Sequence, residues 1–211
     1  MEKKKLTGEL TWSEAIWRDN YRIQFLVTIT ILFSIAVLTP YFFTIIQQRN
    51  APVLNDPLLN VLTPHNLSVF TFILIYSGII TAIISFSIYP YFLLRAIQAY
   101  CLLTVMRIIC IWFFPLNDPP QIIVLIDPFV NTIGYGGKII TKDLFFSGHV
   151  STLFLLFLAA HKRALKYFFL VITVAVAICL LIQHVHYTID VIAAPVFAWV
   201  SYRICFGAKR N

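Results

Sequence analysis

Two histidines and an aspartate have the types and spacing of a group-transfer site: His149 in Ser147-Gly148-His149, and His186 with Asp190 in His186-Tyr187-Thr188-Ile189-Asp190. On a helix, a spacing of four stacks His186 and Asp190 on one face, about 6 Å apart at the backbone. The carboxylate can then hold one imidazole nitrogen as N–H and leave the other free to attack. Gly148 permits close backbone approach, and a helix starting there presents unpaired N–H groups suited to phosphate oxygens. The chemistry these types allow is phosphoryl transfer, either in two steps with His186 as nucleophile and His149 as acid and base, or directly with one histidine as base. This reading calls for no metal and no cofactor. The alternative is a metal site built from His149, His184, His186 and Asp190, since histidine and carboxylate are ordinary zinc ligands.

Two arginines bear on where a phosphate could lie. Arg95 and Arg107 share one apolar run, but twelve residues of helix separate them by about 18 Å, too far to hold one phosphate. Arg107, in the outer half of its span, is the candidate phosphate clamp; the other reading is a structural ion pair with an acid from an outer loop. Arg95 lies near the opposite edge, where it can snorkel.

The elements that must position these residues are membrane helices. Of 211 residues, 60% are hydrophobic and 12% charged, too little polar surface to coat a soluble globule. Six apolar runs approach the length of a span, at 23–46, 67–89, 91–114, 144–160, 164–182 and 187–205, the fourth being the shortest. The fold expected is all-α, a polytopic membrane bundle of six transmembrane helices, because these runs lack the alternation of a barrel. Tyr89-Pro90-Tyr91 leaves room only for a tight hairpin between the second and third spans.

An inside N-terminus puts Lys3, Lys4, Lys5, Arg18, Arg22, Arg95, Lys162, Arg163, Lys166, Arg203, Lys209 and Arg210 on the cytoplasmic side. Arg49, Lys138 and Lys142 then fall outside. Both termini are therefore expected to be cytoplasmic, and the net charge of +7 reads as basic loops facing anionic lipid, with no nucleic-acid partner. The four cysteines lie in apolar runs without CxxC spacing, which suggests neither a disulfide framework nor a zinc site. The first run is read as a retained anchor rather than a cleaved signal.

Three segments result: 1–22, cytoplasmic and interfacial; 23–206, the six-helix catalytic domain; and 207–211, a basic cytoplasmic tail. In the first, Thr11-Trp12-Ser13-Glu14 fits a capping box, with Trp12, Ile16 and Trp17 on one face of a short interfacial helix. Two outer loops stand out. The first, 47–66, carries three prolines and Asp56; the second, 115–143, holds Pro115, Pro119, Pro120, Asp127, Gly134, Gly136 and Gly137 and reads as a lid. Its apolar stretch 121–126 is too short to span, and is expected to dip into the interface or pack on the bundle.

Lys142-Asp143-Leu144-Phe145-Phe146-Ser147-Gly148-His149 resembles the Gly-Asp-x-x-x-Ser-Gly-His motif of the sphingomyelin synthase family, a branch of the lipid phosphate phosphatase superfamily. The segment from His184 to Val191 resembles that family's His-x-His-Tyr-Thr-x-Asp-Val motif more closely still. Leu94-Arg95, Arg107 and Pro115 resemble its third-span arginines and proline-rich turn, and Ala51-Pro52-Val53-Leu54-Asn55-Asp56 resembles its Pro-Pro-Leu-Pro-Asp segment more loosely. The likeness spans residues 50–200. Lys142 stands where the family has glycine, and the folded N-terminal domain of some animal members has no counterpart, as in a bacterial-type member.

The resemblance implies six spans, a site on the periplasmic, extracellular or lumenal side, and movement of phosphocholine or phosphoethanolamine from a glycerophospholipid to a lipid alcohol such as ceramide, releasing diacylglycerol. It implies His149, His186 and Asp190 as the catalytic residues. Arg107, Asp143, Ser147, Gly148, His184 and Tyr187 are expected to contact substrate. The partners are thus a membrane phospholipid donor and a lipid-alcohol acceptor, and a homo-oligomer is compatible with the spans. Two other readings are a lipid phosphate phosphatase or phospholipase C-like hydrolase using water, and a non-enzymatic lipid-binding membrane protein.

Overall fold

Each expected apolar run forms a helix. In the computed structural model, which describes residues 11–126 and 139–207, the described elements are α1 (Trp12–Ile16), α2 (Asp19–Gln47), α3 (Ser68–Phe86), α4 (Pro90–Phe113), α5 (Gly148–Ala159), α6 (Arg163–Ile182) and α7 (Thr188–Gly207). No strand occurs among the described residues. Five helices, α2, α3, α4, α6 and α7, are long and apolar enough to cross a membrane, and α5 is a shorter apolar helix. Asp127, Gly134, Gly136, Gly137 and Lys138 of the expected lid, and Lys3, Lys4, Lys5, Lys209 and Arg210 of the terminal segments, lie outside the described residues.

Local chemistry sets the helix ends. Thr11 closes the capping box with Glu14 and starts α1, while Pro90 takes the first position of α4, where a missing N–H is not needed. In α2 the hydroxyls of Thr28, Ser34, Thr39 and Thr44 each donate to the carbonyl four residues back, which satisfies them within an apolar surrounding. Ile23, Leu26, Phe33 and Leu38 of the same helix are exposed, an apolar face suited to lipid rather than water.

The fourth span departs from expectation. Helix is confined to Gly148–Ala159, about 18 Å long, whereas residues 144–147 precede it without helical structure. The reason lies in α4: Arg107 Nε donates to Phe146 O at 2.8 Å, and Nη2 donates to Asp143 O at 3.2 Å, taking carbonyls that a longer helix would use. Ser147 then serves as N-cap, accepting from Val150 N at 3.5 Å. Phe146 is fully buried and stacks on Phe197 of α7 with ring centres 4.2 Å apart, which anchors the segment in the core.

α5 packs chiefly against α6 and α7, α4 against α7 and α2, and α3 against α6. Their shared core includes Phe86, Leu103, Phe146, Leu153, Phe169, Val176 and Leu180. Cross-links reveal the two ends of the bundle. At one end, Tyr21 of α2 reaches Pro90 O of α4, and Phe92 of α4 meets Phe206 of α7. At the other, Gln47 of α2 binds Thr141, Ser68 of α3 binds Gln183, and Ser147 binds Asp190. Both histidine motifs lie at this second end, opposite the start of α2 and the end of α7.

Candidate active site

α6 must stop and turn back for His186 to face Asp190, and the turn has an identifiable form. Val185 N donates to Leu180 O and His184 N to Leu181 O, both at 3.0 Å, which together make a Schellman C-cap. His184 occupies the left-handed position of that cap, with φ 55, where glycine is usual. Its ring is 3% exposed and holds Nδ1 2.9 Å from Pro120 O, so the second outer loop supports the strained residue. Four residues later α7 begins, so His186 precedes the helix and meets Asp190 from the turn before it, not from a shared helical face as the spacing suggests. His186 Nδ1 lies 3.3 Å from Asp190 Oδ2, which also accepts from Tyr187 N at 3.1 Å. Asp190 is fully buried and His186 is 3% exposed. The contact is slightly long for a relaxed N–H···O bond, as catalytic pairs often are before substrate tightens them.

Backbone joins the second motif to the first: Ser147 N donates to Asp190 O at 3.1 Å. His149 therefore stands in the first turn of α5 beside the first turn of α7. Gly148 presents its Cα to the Arg107 guanidinium so closely that a Cβ there would meet Cζ at 3.0 Å, Nε at 3.1 Å and Nη1 at 3.3 Å. Asp143 Oδ1 pairs with Arg107 Nη2 at 2.6 Å. This is the ion pair with an outer-loop acid that the sequence allowed as the second reading of Arg107. The pair and the Phe146 carbonyl use Nε and Nη2; Nη1, beside Gly148, has no hydrogen-bond partner among the described residues.

Of the six expected substrate contacts, Arg107, Asp143, Ser147 and Gly148 gather around this helix start. His184 and Tyr187 face the loops instead. The Tyr187 hydroxyl donates to Asn117 O at 3.0 Å and accepts from Leu54 N at 3.2 Å, and its side chain is fully buried. The stretch 121–126 packs on the bundle: Ile123 N donates to Gln183 O at 3.0 Å and Leu125 lies against the main core. Among the described residues no three His, Cys, Asp or Glu side chains are grouped as a metal site requires.

Several contacts that hold these elements together were not expected from the sequence, although Asp56 and Lys142 stand in segments it singled out. Asp56 Oδ2 accepts from Thr188 N at 2.6 Å and Oδ1 from Thr188 Oγ1 at 2.9 Å, so a residue of the first outer loop caps the helix that carries Asp190. Burial pushes the Asp56 carboxyl up, but the bonds from Thr188, Leu59 and Leu58 outweigh it and hold the group below its ordinary value. The local signals at Asp56, the turn-forming Asn55-Asp56-Pro57 and the loose motif resemblance of 51–56, do not point to Thr188. Gln47 Oε1 accepts from Thr141 N and Lys142 N, and Lys142 Nζ donates to Arg49 O at 2.7 Å, which fixes the approach to Asp143.

Residues 142–206 match the family model described as PAP2 superfamily C-terminal. The PAP2 match begins at Lys142, just before Asp143, and so contains both histidine motifs and Asp190, but covers less than half of the chain. It supports the lipid phosphate phosphatase superfamily, and a membrane lipid enzyme of the phosphatase or phosphotransferase type. No curated protein matches the chain.

Proposed function

We propose that the protein transfers a phospho-headgroup, phosphocholine or phosphoethanolamine, from a glycerophospholipid to a lipid alcohol such as ceramide, releasing diacylglycerol. The supporting observation is the Ser147–Asp190 backbone link, which sets the His186–Asp190 pair beside the Gly148–Arg107 cradle. With Asp190 holding Nδ1–H, His186 Nε2 attacks phosphorus and the bond to the diacylglycerol oxygen breaks. His149 protonates that oxygen as it leaves. Arg107 Nη1 and the N–H groups opening α5 take the phosphoryl charge. The acceptor hydroxyl then attacks the phosphohistidine, His149 removes its proton, and the P–N bond breaks. Sphingomyelin synthase-like specificity rests on the spelling of the two motifs. An exoplasmic site rests on charge: Arg18, Arg22, Arg95, Lys162, Arg163, Lys166 and Arg203 lie towards the other end, against Arg49 and Lys142 here.

Purified protein given labelled phosphatidylcholine or phosphatidylethanolamine, with and without ceramide, tests the reading. A new phosphosphingolipid formed only with ceramide, and abolished by His186→Ala in a protein of unchanged helix content, is the expected result. Free phosphocholine or phosphate irrespective of ceramide would favour a hydrolase, while no turnover over a broad lipid panel would favour lipid binding alone. Near-normal product formation by His186→Ala would remove the proposed nucleophile.

A further inference from the structure

The end of the bundle opposite the histidines holds a cavity of about 680 Å³ between the starts of α2 and α4. It shares no residue with the candidate active site: Arg95 on its wall and Arg107 are separated by about 18 Å of helix. Arg18 and Arg95 line it, with the amides of Asn20, Gln24 and Gln98, over a floor that includes the buried Leu94. Gln98 Nε2 donates to Thr28 Oγ1 at 3.2 Å, which orients that side chain. Neither guanidinium has an ion-pair or hydrogen-bond partner among the described residues, and the one acid on the wall, Asp19, sits 3.9 Å from Arg22. Two uncommitted guanidiniums flanked by neutral amides in a concave site suit a phosphate with polar substituents.

We infer that this cavity binds the phosphate-bearing headgroup of an anionic phospholipid from the leaflet at that end. Its surroundings favour a lipid over a soluble anion. Along α2 the wall residues Asn20 and Gln24 give way to Ile23, Leu26 and Val27, all exposed, which offer an apolar track for an acyl chain. Tyr21 and Tyr91 meet edge to face at 4.8 Å on the wall, and Trp12 Nε1 donates to Ser87 O at 2.6 Å nearby, an aromatic group typical of headgroup depth.

The full chain, placed in nanodiscs of phosphatidylcholine and phosphatidylglycerol in equal parts and released for native mass spectrometry, should retain phosphatidylglycerol in preference to phosphatidylcholine. Arg18→Gln with Arg95→Gln should reduce that retention roughly tenfold or more, since each replacement removes a charge-assisted hydrogen bond. Arg163→Gln with Lys166→Gln, charges outside the cavity on α6, should leave it unchanged. Saturable binding of inorganic phosphate to the detergent-solubilised protein, lost in the first double variant and without lipid preference, would assign the same chemistry to a soluble anion. Equal retention of the two lipids by the unsubstituted chain with no phosphate binding, or equal loss in both double variants, would overturn the inference.

Discussion

The hydrogen that Gly148 carries in place of a side chain is what lets the Arg107 guanidinium lie flat on the start of α5. Gly148→Ala puts a methyl group 3.0 Å from Cζ, and the guanidinium is tethered at Nε and Nη2, so it must give up one tether to make room. Turnover should fall about tenfold or more, because loss of a placed transition-state donor is worth that much or above. The check is headgroup-transfer rate beside a thermal melt, with the melt shifting little. Arg107→Lys addresses the same cradle differently. A lysine keeps the charge but cannot reach Phe146 O, Asp143 and the phosphate together, so it should restore only a small part of the activity lost in Arg107→Ala. Equal rates for Arg107→Lys and the parent would mean that only charge, not the planar fork, matters there.

Helices α6 and α7 depend on partners far away in sequence. Asp56 caps α7 from the first outer loop, so Asp56→Ala should destabilise the protein by about 1–2 kcal/mol, seen as a lowered melting temperature. The folded protein holds this carboxyl below its ordinary value, so its contribution is complete above the unfolded value of about 4 and disappears as pH falls through the lower, folded one. The parent should therefore lose stability relative to Asp56→Ala on acidification below about pH 4, and the gap between their melts should close. At the end of α6, His184 sits where glycine is favoured. His184→Ala forfeits the Pro120 contact and keeps the left-handed backbone, whereas His184→Gly forfeits the contact but relieves the backbone. The glycine variant should melt higher than the alanine variant by the equivalent of about 1 kcal/mol.

These two helix ends also mark what a sequence can disclose. His186 and Asp190 were legible because their partnership is local, four residues apart, although His186 stands just before α7 rather than on its face. The apolar runs were legible because lipid demands continuous hydrophobicity. The start of α5 was not, since it is decided by Arg107, which takes carbonyls of residues 36 and 39 positions away. The cap on α7 was not either, because Asp56 and Thr188 lie 132 positions apart and neither the turn triplet nor the loose motif resemblance at Asp56 names its partner. Likewise Tyr187, in a motif that drew attention for chemistry, has its hydroxyl engaged by the two loops.

Viewed as a whole, the molecule is a bundle with the two histidine motifs at one end and most of its basic residues towards the other. A cysteine at the exposed Val53 of the first outer loop, in a cysteine-free background, should react with a membrane-impermeant maleimide from outside intact cells. One at Lys162, in the connection between α5 and α6, should react only after permeabilisation. The reverse pattern would invert the proposed orientation.

The shortness of α5 has a bearing on the lipid around it. Twelve residues reach about 18 Å against roughly 30 Å of hydrocarbon, and Arg107 stands six residues, about 9 Å, before the end of α4. On the proposed reaction the donor phosphate must therefore sink below the headgroup plane, or the leaflet must dimple to deliver it, and the deformation grows with acyl-chain length. Bilayer thickness thus becomes a rate-setting variable: turnover should be fastest in short-chain membranes and decline as the same headgroups are carried on longer chains.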